Sequence, residues 1–92
     1  MKFEWDDAKR LATLEKHGID FVDAVEVFAE THIVLRGKSE VENRRIAIGD
    51  VNGITIAVVF TMRGDRIRII TARRARKDER EHYQAHVAGR HS

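Results

Sequence analysis

Ninety-two residues with no cysteine, no proline, 42% hydrophobic and 35% charged side chains describe one small globular domain, residues 1–92. They exclude a disulfide framework and thiol chemistry, and no apolar run approaches the roughly 18 residues a membrane span needs. The net charge of +2 says little in total, but Arg63 to Lys77 holds seven basic residues and one acid, while the remainder holds ten basic and fourteen acidic.

In chain order, Phe3 and Trp5 alternate with Lys2 and Glu4, which reads as a short strand or a docked extended arm. The opening MKFEWDD has no apolar signal-peptide core, and the lack of cysteine makes a reducing cytoplasm the expected location. Asp6 reads as an N-cap, and Ala8, Leu11, Ala12 and Leu14 recur at helical spacing, so the sequence predicts a helix over Asp7 to His17. Gly18 stops it. Asp20 caps a second helix, expected to turn Val22, Val25, Phe28 and Ala29 to a core.

After Glu30 the pattern changes to strands. His32 to Leu35 is apolar and β-branched, Gly37 to Glu40 is turn-like, and Arg44 to Ile48 alternates. Asn52-Gly53 marks a hairpin turn. Ile54 to Thr61 is apolar almost throughout and reads as a central strand buried on both faces. After a turn at Arg63-Gly64-Asp65, strict alternation over Arg66 to Arg73 predicts Ile67, Ile69 and Thr71 on one face, with Arg66, Arg68 and Ile70 on the other. Arg76 to Val87 reads as a last helix with Asp78 and Glu79 near its start and a frayed end from Gly89. The predicted fold class is α+β, a small antiparallel sheet of three to four strands with two N-terminal helices and one C-terminal helix.

The arginine strand is the first candidate site. Arginine forks on an open sheet face suit phosphate or carboxylate; the plain alternative is a solvated face whose arginines pair with nearby acids. Glu79, His82, Tyr83 and His86 lie one turn apart in pairs on the last helix. A carboxylate, imidazoles and a phenol beside arginines are the ingredients of acid–base catalysis on a phosphodiester; the alternative is a polar helix face with Tyr83 folded onto the core. His82 and His86 at i, i+4 share a zinc-like spacing, but no third or fourth ligand is evident, so no metal or cofactor is expected. Lys16 and His17 offer a cation and a titratable imidazole at a helix end, where positive charge is also favoured for structural reasons alone. Phe3 and Trp5 fit either a base-stacking platform or the core.

Two blocks then carry a resemblance. Phe3-Glu-Trp-Asp6, Lys9, Lys16-His-Gly-Ile19, Phe21, Ala24 and Val27-Phe28 form the first. Glu42, Arg44, Gly49, Val58-Val59, Thr61, Arg63-Gly64, Ile67 to Ala75, Glu79 and Tyr83 form the second. In this order and spacing the chain resembles the BrnT family over about Phe3 to Tyr83. Asp7, Thr13 and Thr71 stand where proline, asparagine and serine are common in that family, and Glu30 to Glu42 matches poorly.

The resemblance implies a toxin of a type II toxin–antitoxin pair with a RelE-like ribonuclease fold. Such a toxin cuts RNA, stops translation, and is neutralised by a BrnA-like ribbon-helix-helix antitoxin whose complex binds operator DNA. Carried over by position, it implies Arg66, Arg68 and Arg73 as phosphate or transition-state contacts and Glu79 as the better general-base candidate. Lys16 and His17 would complete the catalytic set, with Lys9, Arg63, Arg74 and Tyr83 as substrate contacts. His82 joins them from helical spacing alone. The expected reaction is metal-independent transesterification; the competing classes are a non-catalytic nucleic-acid-binding module and a protein-interaction module.

Overall fold

The structure, a computed structural model, describes residues 1–37 and 43–89. The elements run β1 (Lys2–Trp5), α1 (Asp7–His17), α2 (Phe21–Ala24) continuing as a 3-10 helix (Val25–Ala29), β2 (His32–Arg36), β3 (Arg45–Val51), β4 (Ile54–Arg63), β5 (Arg66–Arg74) and α3 (Lys77–Gly89). The turn expected over Gly37 to Glu40 lies mostly outside the described residues, as does Glu42.

One five-stranded sheet has the order β1-β5-β4-β3-β2. This corrects the expected three to four antiparallel strands. The N-terminal segment is a true edge strand, and it pairs with β5 in parallel, Phe3 beside Ile67 and Trp5 beside Ile69. The other pairs are antiparallel. The parallel pairing joins the two ends of the chain and leaves no local sequence signal.

Local chemistry accounts for most element ends. The Asp6 carboxylate accepts from the Ala8 and Lys9 amides at 2.8 and 3.4 Å, and the Gly18 amide closes α1 onto the Leu14 carbonyl. Asp20 caps α2 through the Val22 amide and also holds the Arg10 guanidinium at 2.8 and 3.1 Å, tying α1 to α2. Asn52 and Gly53 sit at φ 52° and 79°, the left-handed pair that a tight β3–β4 hairpin requires.

The second helix departs from the sequence reading. It is α-helical for four residues and then tightens to 3-10; Phe21, Ala24 and Val27 are fully buried while Val22 is 54% exposed. Of the residues expected to face inward, Val25 and Phe28 are half-buried and pack against the core, while Val22 and Ala29 are exposed.

β4 is the central strand and serves two cores. Ile56, Val58 and Phe60 join Phe21, Ala24, Val27, Ile67, Ile69 and Ala72 on one face of the sheet. Phe28 anchors this side with its ring edge-on to Phe60 at 5.0 Å and tilted on Phe3 at 5.6 Å. On the opposite face Ala57 joins Ile48, Ala75 and Tyr83 beneath α3, with Ile33, Leu35, Ile46 and Val87 partly buried around them.

Candidate nucleic-acid interface and active site

The pairing of β4 with β5 decides where the arginines point. Arg63 pairs with Arg66, Thr61 with Arg68, Val59 with Thr71 and Ala57 with Arg73. These β4 residues are two apart, so they and their partners share the face that carries α3. The register jumps between Phe60, paired with Ile69, and Val59, paired with Thr71. Ile70 is therefore the extra residue of a β-bulge, and the alternation changes phase there.

This corrects the strict alternation expected for β5. Thr71 leaves the face of Ile67 and Ile69, and Ala72 takes its place in their core. Arg73 is an odd number of residues from Arg66 and Arg68 and would lie opposite them on an unbroken strand. The bulge brings it to their side. Arg74, paired with Ile56, points to the other face and is exposed.

Arg73 is the most constrained of these arginines. Its two terminal nitrogens donate to the two Glu79 oxygens at 2.6 and 3.0 Å. The Arg76 amide donates to the same carboxylate at 2.8 Å. Glu79 thus stands at the third position of α3 and bonds back to the residue that opens the helix, the return half of a capping box. Glu79 is 4% exposed. The Arg73 guanidinium holds its carboxyl below the ordinary value, against burial, with the Arg76 amide adding to the effect. Glu79 in turn raises the affinity of Arg73 for its proton. An ionised carboxylate with both oxygens engaged is a weak proton acceptor and a firm anchor.

Arg68 is half-buried and donates to Glu4 of β1 at 2.7 Å. Arg63 and Arg66 are exposed at the β4–β5 turn, where Lys2 and Asp65 lie 3.3 Å apart.

Two hollows flank the Thr71–Val59 pair. α1 begins just after β1 stops beside Ile69, so its inner side lies along the next residues of β5. Between them is a groove of about 280 Å³ lined by Lys9, Ala12, Thr13, Lys16, His17, Ile70 and Thr71. The Thr13 and Thr71 hydroxyls meet across it at 3.4 Å. The chain thus gathers Lys9, Lys16 and His17 at one place. On the other side lies a cavity of about 410 Å³, with Leu35, Ile46 and Val59 apolar and Arg36, Arg44, Arg73 and Arg76 cationic.

The remaining candidates lie elsewhere. Tyr83 is buried beneath α3, where burial first and the Asp50 charge second push its phenol upward. His82 and His86 are exposed on α3. Among the described residues no three His, Asp or Glu side chains lie close enough to hold a metal ion. Sequence reading missed Arg36 and Arg44 as contributors, since single arginines on either side of a loop carry no periodic signal; Arg44 falls in the second block of resemblance, with no role attached.

Comparison with known proteins settles the lineage. A family model described as the ribonuclease toxin BrnT of type II toxin–antitoxin systems matches residues 5–79. The chain belongs to the BrnT family. The crystal structure of the Brucella abortus ribonuclease toxin BrnT is similar at 39% identity, with a TM-score of 0.69, covering 84% of this chain and 99% of that one. No curated protein matches. A BrnT-family chain is a ribonuclease toxin of a type II pair, so an antitoxin partner follows from the family. No helix among the described residues is long and apolar enough to cross a membrane.

Proposed function

We propose that this chain is an endoribonuclease that cleaves RNA by metal-independent transesterification. The observation that carries the reading is the bulge at Ile70, which gathers Arg66, Arg68 and the Glu79-clamped Arg73 on one open face. In the reaction the ribose 2′-oxygen attacks the adjacent phosphorus as its proton leaves. The phosphorus–5′-oxygen bond breaks and the departing oxygen takes a proton. The products are a 2′,3′-cyclic phosphate and a 5′-hydroxyl.

Arg68 and Arg73 hold the scissile phosphate and the charge that builds on its oxygens. Arg63 and Arg66 extend the contact along the strand. Glu79 acts through Arg73, fixing its fork rather than taking the 2′-proton, because both carboxylate oxygens are engaged. Lys9 and Lys16 face the substrate from α1, and His17 is the titratable group there that moves a proton. The RNA specificity follows from the need for a 2′-hydroxyl.

The cellular role is that of the family: the free chain stops translation in the cytoplasm. A BrnA-like ribbon-helix-helix antitoxin neutralises it, and the complex binds operator DNA. A non-catalytic RNA-binding module is the second reading, favoured by one feature, the engagement of Glu79 by Arg73. Incubating the purified chain with a defined RNA, with and without EDTA, and mapping the new ends separates the two. Cleavage that survives EDTA and leaves cyclic phosphate ends supports the enzyme. Binding without cleavage supports the module, and 5′-phosphate products or loss with EDTA refute the mechanism.

A further inference from the structure

The 410 Å³ cavity next to Arg73 draws its lining from four separate places: Leu35 to Gly37, Arg44 and Ile46, Val59, and Arg73 to Glu79. Folding assembles it, helped by a close approach at the β2–β3 end. The Gly37 amide donates to the Arg44 carbonyl at 2.8 Å, and a Cβ at Gly37 would lie 2.9 Å from that oxygen. Any other residue there would push Arg36 and Arg44 apart from each other.

Among the described residues that line the cavity are four arginines and two carboxylates, and Glu79 is already engaged by Arg73 and the Arg76 amide. Among the described residues the exposed side chains of Arg36 and Arg76 have no ion-pair partner. The floor is apolar, with Leu35, Ile46 and Val59 half-buried. A cationic rim over an apolar floor matches a nucleotide, whose phosphate is anionic and whose base and sugar have apolar faces. An isolated acidic side chain would use the rim and leave the floor bare. Arg73 lines the cavity, and Val59 of its floor pairs with Thr71, so the cavity adjoins the arginine face.

We propose that this cavity is a second RNA subsite, which takes a nucleotide flanking the scissile one and holds its phosphate with Arg36 and Arg76. It rests on the ribonuclease reading and extends it to a residue pair that neither the sequence blocks nor the catalytic set includes. Substrate then crosses β5 in a fixed direction, from the α1 groove past Arg68 and Arg73 to the start of α3.

The test uses the full chain and a fully 2′-O-methylated RNA 12-mer, which binds but cannot be cut by its own 2′-oxygens. Affinity is measured by fluorescence anisotropy over a series of salt concentrations, beside cleavage kinetics on the unmodified RNA. Thermal melting checks that Arg36→Ala and Arg76→Ala fold. Each substitution is expected to weaken binding about tenfold, to lower the salt slope by about 0.7, the share of one single-strand phosphate, and to raise KM more than it lowers kcat. If the wild type binds and cuts RNA while both variants keep its slope and KM, the subsite is refuted and the ribonuclease reading stands. If the variants lose affinity for a polyglutamate peptide but not for the RNA, the cavity serves an acidic protein partner and the RNA assignment fails. A folded wild type that binds no RNA overturns both.

Discussion

The two faces of the sheet use the same strands for opposite ends. On the side of α2, Phe21, Phe28, Phe60, Ile67 and Ile69 close against one another, and most of them are almost wholly removed from water. On the side of α3, the half near Ala57 and Tyr83 is sealed, the rest presents Arg63, Arg66 and Arg68, and Arg73 lies half-buried beside Ala57 at the border. The first face holds the larger core, and the second carries the proposed cleavage site. Arg73 and Glu79 join the sealed and open halves of the second face, because the pair that borders the arginines also anchors the start of α3.

Substitutions can break this division, and the largest effect is expected on the open face. Arg73→Ala should lower RNA cleavage by about 100-fold or more, the scale for losing one transition-state donor. It also leaves the Glu79 carboxylate buried without its partner, at a cost of about 3 kcal/mol. Arg73→Lys separates the two effects. It keeps the charge but loses the two-point fork, so denaturant unfolding should recover more than cleavage does.

On the sealed face Ile69→Ala should cost about 2–5 kcal/mol in urea unfolding, because Ile69 is 1% exposed inside the larger core. If the faces are separable, kcat at a temperature where the variant remains folded should stay near the wild-type value.

The pH dependence sharpens the role of Glu79. Its carboxyl is held below the ordinary value of 4.5 in the folded chain, with Arg73 as the largest cause. The stabilisation is thus fully present above that ordinary value and is lost as pH falls through the lower folded value. Urea midpoints measured from pH 6 down to pH 3 should decline for the wild type and decline less for Glu79→Gln. Equal slopes would remove Glu79 from the account of acid stability. The smallest effect is expected at Tyr83→Phe, which deletes the phenol facing Asp50 and should cost about 1 kcal/mol.

Much of the fold was legible because local physics marks its boundaries. Asp6, Gly18, Asp20 and the Asn52-Gly53 turn each act through neighbours a few residues away, and each stands where the sequence placed it. What escaped was non-local. The pairing of β1 with β5 spans more than sixty residues, as Phe3 beside Ile67 shows. The bulge at Ile70 depends on how β5 fits β4, and it reverses the face of every later residue. The burial of Phe21 rather than Val22 depends on how the short α2 docks on the sheet, which no local pattern fixes. For the site, sequence blocks pointed to Lys9, Lys16 and His17, which share one groove, and to Arg73 with Glu79, which form one clamp. They gave no hint that the clamp occupies both Glu79 oxygens or that Arg36 and Arg44 border the same cavity.

The central claim is that a fork held by Glu79 on the arginine face cleaves RNA without a metal. The most direct measurement is end mapping of a defined RNA after incubation with the wild type, Arg73→Lys and Glu79→Gln, each with and without EDTA. The account predicts 2′,3′-cyclic phosphate ends from the wild type at the same rate in EDTA, a large loss in Arg73→Lys, and an intermediate loss in Glu79→Gln. Full activity in a folded Arg73→Lys, or wild-type cleavage abolished by EDTA, would contradict it.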